Sequence, residues 1–109
     1  MNTFGQIISK ARKELGISQK DLATKIRKED GGEISAQYLN DIEHDRRDPP
    51  SEFFIEQFAK ILKLKKDPLI AAAGMWPADL QQALPGADPK KVEQAFTAFR
   101  QVLNKKDKP

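Results

Sequence analysis

Apolar residues in the first 75 positions recur at spacings of three and four, and turn or capping residues interrupt them. Phe4, Ile7, Ile8, Ala11 and Leu15 form one stripe. The Thr3–Gln6 pair matches a capping box at its start, and Gly16 is a natural stop. A helix over Thr3 to Leu15 follows. Ser18 is the N-cap of a second helix, with Asp21 as a weak capping-box partner and Leu22, Ala23 and Ile26 on one face. That helix is expected to run to about Arg27, where Glu-Asp-Gly-Gly breaks it. Ser35 opens a third, with Leu39 and Ile42 pointing inward. It is expected to reach about Asp45, with Pro49-Pro50 barring continuation. Ser51 is placed as the cap of a fourth helix, with Glu52 in its first turn. Phe54, Phe58, Ile61 and Leu62 form its inner face, widened by Phe53, Ile55 and Leu64. Asp67-Pro68 is expected to start a fifth helix, which Gly74 ends.

Beyond Trp76-Pro77 the pattern changes. A short helix is expected around Ala78 to Leu84, broken by Pro85-Gly86. Asp88-Pro89 then starts a last helix that runs to about Asn104 and precedes a frayed KKDKP tail. In that helix Val92, Phe96, Phe99 and Leu103 recur at spacings close to a heptad seam. No stretch reads as a strand of convincing length. The expected class is all-α: a five-helix domain over residues 1–75 and a helical extension over 76–109, with Trp76 available to pin the two together.

The third helix has an unusual polar side. Ala36, Gln37, Asn40, Asp41 and His44 fall on the arc opposite Leu39 and Ile42. Two short helices, the second with an amide-rich outer face, suit a helix-turn-helix whose second helix enters a DNA major groove. An Asn or Gln amide pairs with N6 and N7 of adenine, an alanine touches a thymine methyl, and an aspartate accepts from cytosine N4 or repels phosphate. A plain solvated helix face has the same residue types, so the frame around these residues decides between the readings.

That frame resembles the helix-turn-helix domain of phage repressors and the wider XRE-like regulators. The resemblance rests on LGISQKDLA, ISAQYLNDIE and RRDPP and covers about Phe4 to Gly74. One departure stands out: seven residues, Arg27 to Glu33, lie where the family has a short turn around one glycine. The resemblance implies base readout by Ala36, Gln37, Asn40 and Asp41. It places Gln19, at the start of the second helix, against a phosphate, and Ser35 at the DNA backbone. It also implies a structural pair between Arg12 and Glu43. Arg46 and Arg47 follow the recognition helix and are expected either to clamp the backbone or to pair locally with Asp45 or Asp48. His44 reaches a phosphate or nothing.

Charge adjusts the picture. The net charge is +3 and the pI about 9.2, which permits nucleic-acid binding without demanding it. Lys10, Arg12, Lys13, Lys20, Lys25, Arg27 and Lys28 enrich the first part, whereas acidic residues dominate from Glu33 to Glu56. Binding by charge alone does not fit that distribution. At 109 residues, 39% hydrophobic and 32% charged, the chain reads as globular. It has no cysteine, which fits a reducing cytoplasm, and no apolar run of membrane-spanning length. The single histidine has no second ligand beside it, Gly31-Gly32 lacks the lysine of a phosphate-binding loop, and no nucleophile constellation appears. No metal, cofactor or catalytic activity is expected.

The expected function is a cytoplasmic, sequence-specific DNA-binding transcriptional regulator, a repressor that binds double-stranded DNA as a homodimer at a two-fold operator. The seam of Val92, Phe96, Phe99 and Leu103 would hold the dimer or fold back on the chain's own core. Two alternatives remain: an antitoxin that represses its own operon and binds a toxin, and a protein-interaction module of the same fold without DNA binding.

Overall fold

The structure, a computed structural model, describes residues 2–49 and 51–105. Pro50 and tail residues 106–109, expected to stop a helix and to fray, lie outside the described residues. Two compact units separate at Pro77 and Ala78. Among the described residues there are seven α-helices, one 3-10 turn and no strand beyond an isolated bridge.

The first unit holds α1 (Phe4–Glu14), α2 (Gln19–Lys25), α3 (Ala36–Glu43), α4 (Glu52–Leu62) and α5 (Lys66–Ala72). Each amphipathic stripe converges on one core. Phe4, Ile8 and Ala11 meet Leu22, Ala23, Leu39 and Ile42, with Phe54, Ile55, Phe58, Ala59 and Leu62 from α4 and Leu69 and Ile70 from α5. Phe4 and Phe58 pack edge to face at 6.2 Å. Burying one such phenylalanine stabilises the fold by roughly 1.5–3 kcal/mol. Thr3 and Gln6 form the complete capping box expected of α1, and the Ser18 and Ser35 hydroxyls accept from the amides of Asp21 and Tyr38. These caps satisfy donors that the first helical turn leaves without partners.

Several expectations need correction. Helix α2 ends at Lys25, because Ile26 turns extended to bury its side chain. Helix α3 ends at Glu43, well before the prolines. Asp45 adopts a left-handed conformation there, with φ +58°. Ser51 stands at the N-cap of α4, but its side chain makes no capping bond. Helix α5 begins one residue before Asp67, so Pro68 is its third residue rather than its first. On α4, Ile55 is fully buried while Phe53 is exposed. Leu15, placed on the α1 stripe, is also exposed, since it caps the helix.

The long connection between α2 and α3 is a compact hairpin. Arg27 and Glu33 form an antiparallel bridge. Lys28 N donates to the Gly32 carbonyl at 2.6 Å, and Gly31, at φ +91°, takes the tip through a conformation that a β-carbon would strain. Gln57 of α4 pins its base: the side-chain oxygen accepts from Arg27 N at 2.7 Å and the nitrogen donates to the Arg27 carbonyl at 2.9 Å.

The second unit contains α6 (Ala78–Ala83), a 3-10 turn over Leu84–Gly86 and α7 (Pro89–Asn104). Pro85-Gly86 therefore carries a helical turn rather than a simple break. The Asp88 side chain accepts from Lys90 N, and Pro89 opens α7 as expected. Along the seam Val92 and Phe96 are half-buried, whereas Phe99 is 57% and Leu103 66% exposed.

Candidate nucleic-acid interface

Helix α3 is held to α1 at two points. Gly5 lies where the end of α3 crosses α1: a β-carbon there would sit 2.6 Å from the Glu43 carbonyl oxygen. Gly5 N donates to Asp45 Oδ1 at 3.1 Å, and Thr3 Oγ1 donates to Asp45 Oδ2 at 2.6 Å. Asp45 thus ties the end of α3 to the start of α1. It is not a partner of either arginine that follows it.

The second point is Arg12 and Glu43. Arg12 Nε donates to Glu43 Oε2 at 2.7 Å and Nη2 to Oε1 at 3.0 Å, a two-pronged contact in which the Glu43 side chain is 2% exposed. A third Arg12 bond, from Nη1 to the Ile17 carbonyl, fixes the entry to α2. Burial raises the Glu43 pKa. Hydrogen bonds from Arg12 and Gln19, the Arg12 charge and the Ser9 hydroxyl outweigh it, so the carboxyl lies below its ordinary value. The carboxylate is therefore ionised and fully engaged at neutral pH.

Gln19, the first residue of α2, joins this network. Its Nε2 donates both to Glu43 Oε1 at 3.0 Å and to Asn40 Oδ1 at 3.1 Å. Arg12, Glu43, Gln19 and Asn40 thus form one chain of bonds from the buried pair to the edge of α3. Neither amide expected to read bases is wholly free. Asn40 is half-buried with its oxygen engaged, and Gln37 Nε2 donates to Asp41 Oδ1 at 3.1 Å. Ala36 and Gln37 are exposed on the first turn of α3.

The cations nearby are also partly occupied. Arg46 Nη1 lies 3.4 Å from Asp41 Oδ1, so its local partner is Asp41 and not Asp45 or Asp48. Arg47 stacks over the Tyr38 ring at 5.2 Å. Both arginines are exposed, and such surface contacts are worth about 1 kcal/mol or less. His44 Nδ1 donates to the Asn40 carbonyl at 2.9 Å, capping α3. Ser35 spends its hydroxyl on Tyr38 N. An open groove along α1, lined by Gln6, Ser9, Lys10, Lys13, Glu14 and Glu43, lies beside the ion pair.

Sequence reasoning placed Arg12 against Glu43 but missed the roles of Gly5, Asp45, Gln57 and Gln19. A lone glycine inside a strongly amphipathic helix was the available signal for Gly5, since close backbone approach is what retains glycine there. The other three act through contacts 21 to 42 residues apart in sequence, which no local pattern reveals. Among the described residues no group of three or more His, Cys, Asp and Glu is placed to hold a metal ion, and no helix is long and apolar enough to cross a membrane.

Comparisons with known proteins support the helix-turn-helix fold. The model of the helix-turn-helix family matches residues 8–69, more than half of the chain. None of the curated proteins matches it. A solved chain described as the SinR protein/SinI protein complex is 21% identical, with a TM-score of 0.51 over 94% of this chain and 100% of that chain, and shares its fold. The chain belongs to the XRE-type helix-turn-helix family of DNA-binding regulators.

Proposed function

We propose that this regulator is a cytoplasmic repressor that binds a two-fold operator as a homodimer. The observation that carries the reading is the anchoring of α3: its inner side is fixed to α1 and α2 by Glu43 and Asp45, while Ala36 and Gln37 stand exposed on its first turn. A rigidly held helix with a polar outer face suits insertion into the major groove. Ala36, Gln37, Asn40 and Asp41 then meet base edges. Ser35, His44, Arg46 and Arg47 meet phosphates, which supply much of the affinity and little of the choice. Local bonds of about 1 kcal/mol give way to charge-assisted phosphate contacts.

One recognition helix reads only a few base pairs. Two, about 34 Å apart, read a two-fold site. Phe99 and Leu103, exposed on the α7 seam that also carries the half-buried Val92 and Phe96, offer an apolar surface for pairing two copies. Repression follows if the bound dimer occludes a promoter.

A second reading uses the same exposed apolar surface for another protein, as in an antitoxin that also binds a toxin. The similar solved chain comes from a complex of two named proteins, which supports keeping this reading. In-vitro selection of bound DNA from a random pool tests the first. A two-fold consensus is the expected result. Failure to enrich any sequence, together with capture of a protein partner by α7, would favour a protein-interaction module instead.

A further inference from the structure

Asn40 sits where the buried network reaches the outer face of α3, and the network leaves its amide no choice of direction. Glu43 is enclosed and held by the Arg12 guanidinium. An ionised carboxylate only accepts hydrogen bonds. Gln19, 3.0 Å from Glu43 Oε1, must therefore present its NH2 group and not its carbonyl. That NH2 carries a second hydrogen, which points at Asn40, 3.1 Å away. Asn40 must answer with an acceptor, its Oδ1. The remaining group, Nδ2, is the one left for a partner outside the protein.

We propose, resting on the DNA-binding reading above, that Gln19 and Glu43 are positioning residues that lock the Asn40 amide with Nδ2 outward, so that Asn40 meets a base edge as a hydrogen-bond donor. Major-groove edges that present an acceptor satisfy it: N7 of either purine, O6 of guanine and O4 of thymine. Cytosine, which offers the N4 donor, is rejected. Gln19 thereby acts on base choice through Asn40.

The test compares DNA selected from one random pool by the full-length parent and by Asn40→Ala, Asn40→Asp and Gln19→Ala. Asn40→Ala identifies the base read by Asn40, as the position whose preference flattens. At that position the parent should disfavour cytosine by about 5- to 150-fold, the range of one good base contact. Asn40→Asp keeps an acceptor toward Gln19 but turns an acceptor outward, so cytosine should become favoured. Gln19→Ala frees the amide to turn over, and cytosine should become tolerated there while other positions keep their preferences. A parent that selects cytosine at this position overturns the lock. So does a Gln19→Ala protein that loses affinity equally for every sequence, the behaviour of a phosphate ligand, or an Asn40→Ala protein whose consensus is unchanged. In these cases the DNA-binding reading survives, because a consensus exists. No consensus from the parent overturns both.

A measurement on the DNA-free parent decides the case if a variant fails to fold. Nitrogen-15 spectra should show the Gln19 side-chain amide protons exchanging with water at least about tenfold more slowly than those of Asn40. The opposite order contradicts the lock.

Discussion

Arg12 and Glu43 are separated by 31 residues and enclose each other almost completely. Removing one partner leaves the other charge buried and unpaired, at a cost of roughly 3–5 kcal/mol. Arg12→Ala and Glu43→Ala should each lower the urea midpoint accordingly, and the double variant should cost less than the two together. Additive losses would mean that the pair is not coupled. The pair also has a pH signature. The folded Glu43 carboxyl lies below its ordinary value of 4.5, so the folded state favours its ionised form. Its contribution to stability is therefore complete above the unfolded value and fades as the pH falls through the lower folded value. Between pH 7 and pH 3 the parent should lose more stability than Glu43→Gln, and parallel losses would contradict the assignment. Gly5→Ala probes the neighbouring contact. A methyl group there meets the backbone at the end of α3, so a loss of about 1–3 kcal/mol is expected from thermal unfolding, with no gain from alanine's higher helix propensity.

The helices were legible because their signals are local. Stripes at helical spacing, the Thr3–Gln6 box and the Asp88-Pro89 start each specify an element within a few residues. The ends were harder, since tertiary contacts set them. Ile26 leaves α2 early to reach the core, and Asp45 stops α3 by bonding to α1. In the sequence the hairpin between α2 and α3 shows only as a break. Its order depends on Gln57, thirty residues away, whose side chain satisfies both backbone groups of Arg27. Gln57→Ala should destabilise the protein by about 1 kcal/mol. Hydrogen exchange should quicken at Lys28 and Ile34, whose amides bond to Gly32 and Ile26, while α3 stays protected. Unchanged exchange at both amides would show that the hairpin holds itself. The candidate interface was legible in residue type but not in bonding. The exposed arc of α3 follows from periodicity, whereas the direction of each amide depends on side chains from α2 and on Asp41.

For the whole molecule, the fold is one matter and assembly another. The buried core of residues 2–77 is drawn from side chains between Phe4 and Ile70. Phe96→Lys combined with Phe99→Lys should therefore give a folded protein whose sedimentation is monomeric and which binds one half-site weakly. A parent already monomeric at high micromolar concentration, or an unfolded variant, would remove the seam from the account of dimerisation. Arg46→Ala and Arg47→Ala should weaken binding on all sequences and flatten the salt dependence by about one unit of slope per lost phosphate contact. An unchanged slope would leave these arginines with Asp41 and Tyr38. The central claim is that the exposed first turn of α3 reads bases, and Gln37 tests it most directly, because its removal disturbs no buried group. Equilibrium binding of the parent and Gln37→Ala should be measured at one salt concentration, on the selected site and on random DNA. The account predicts a loss of roughly 1–3 kcal/mol on the selected site and much less on random DNA. Equal losses on both, or none on either, would contradict it.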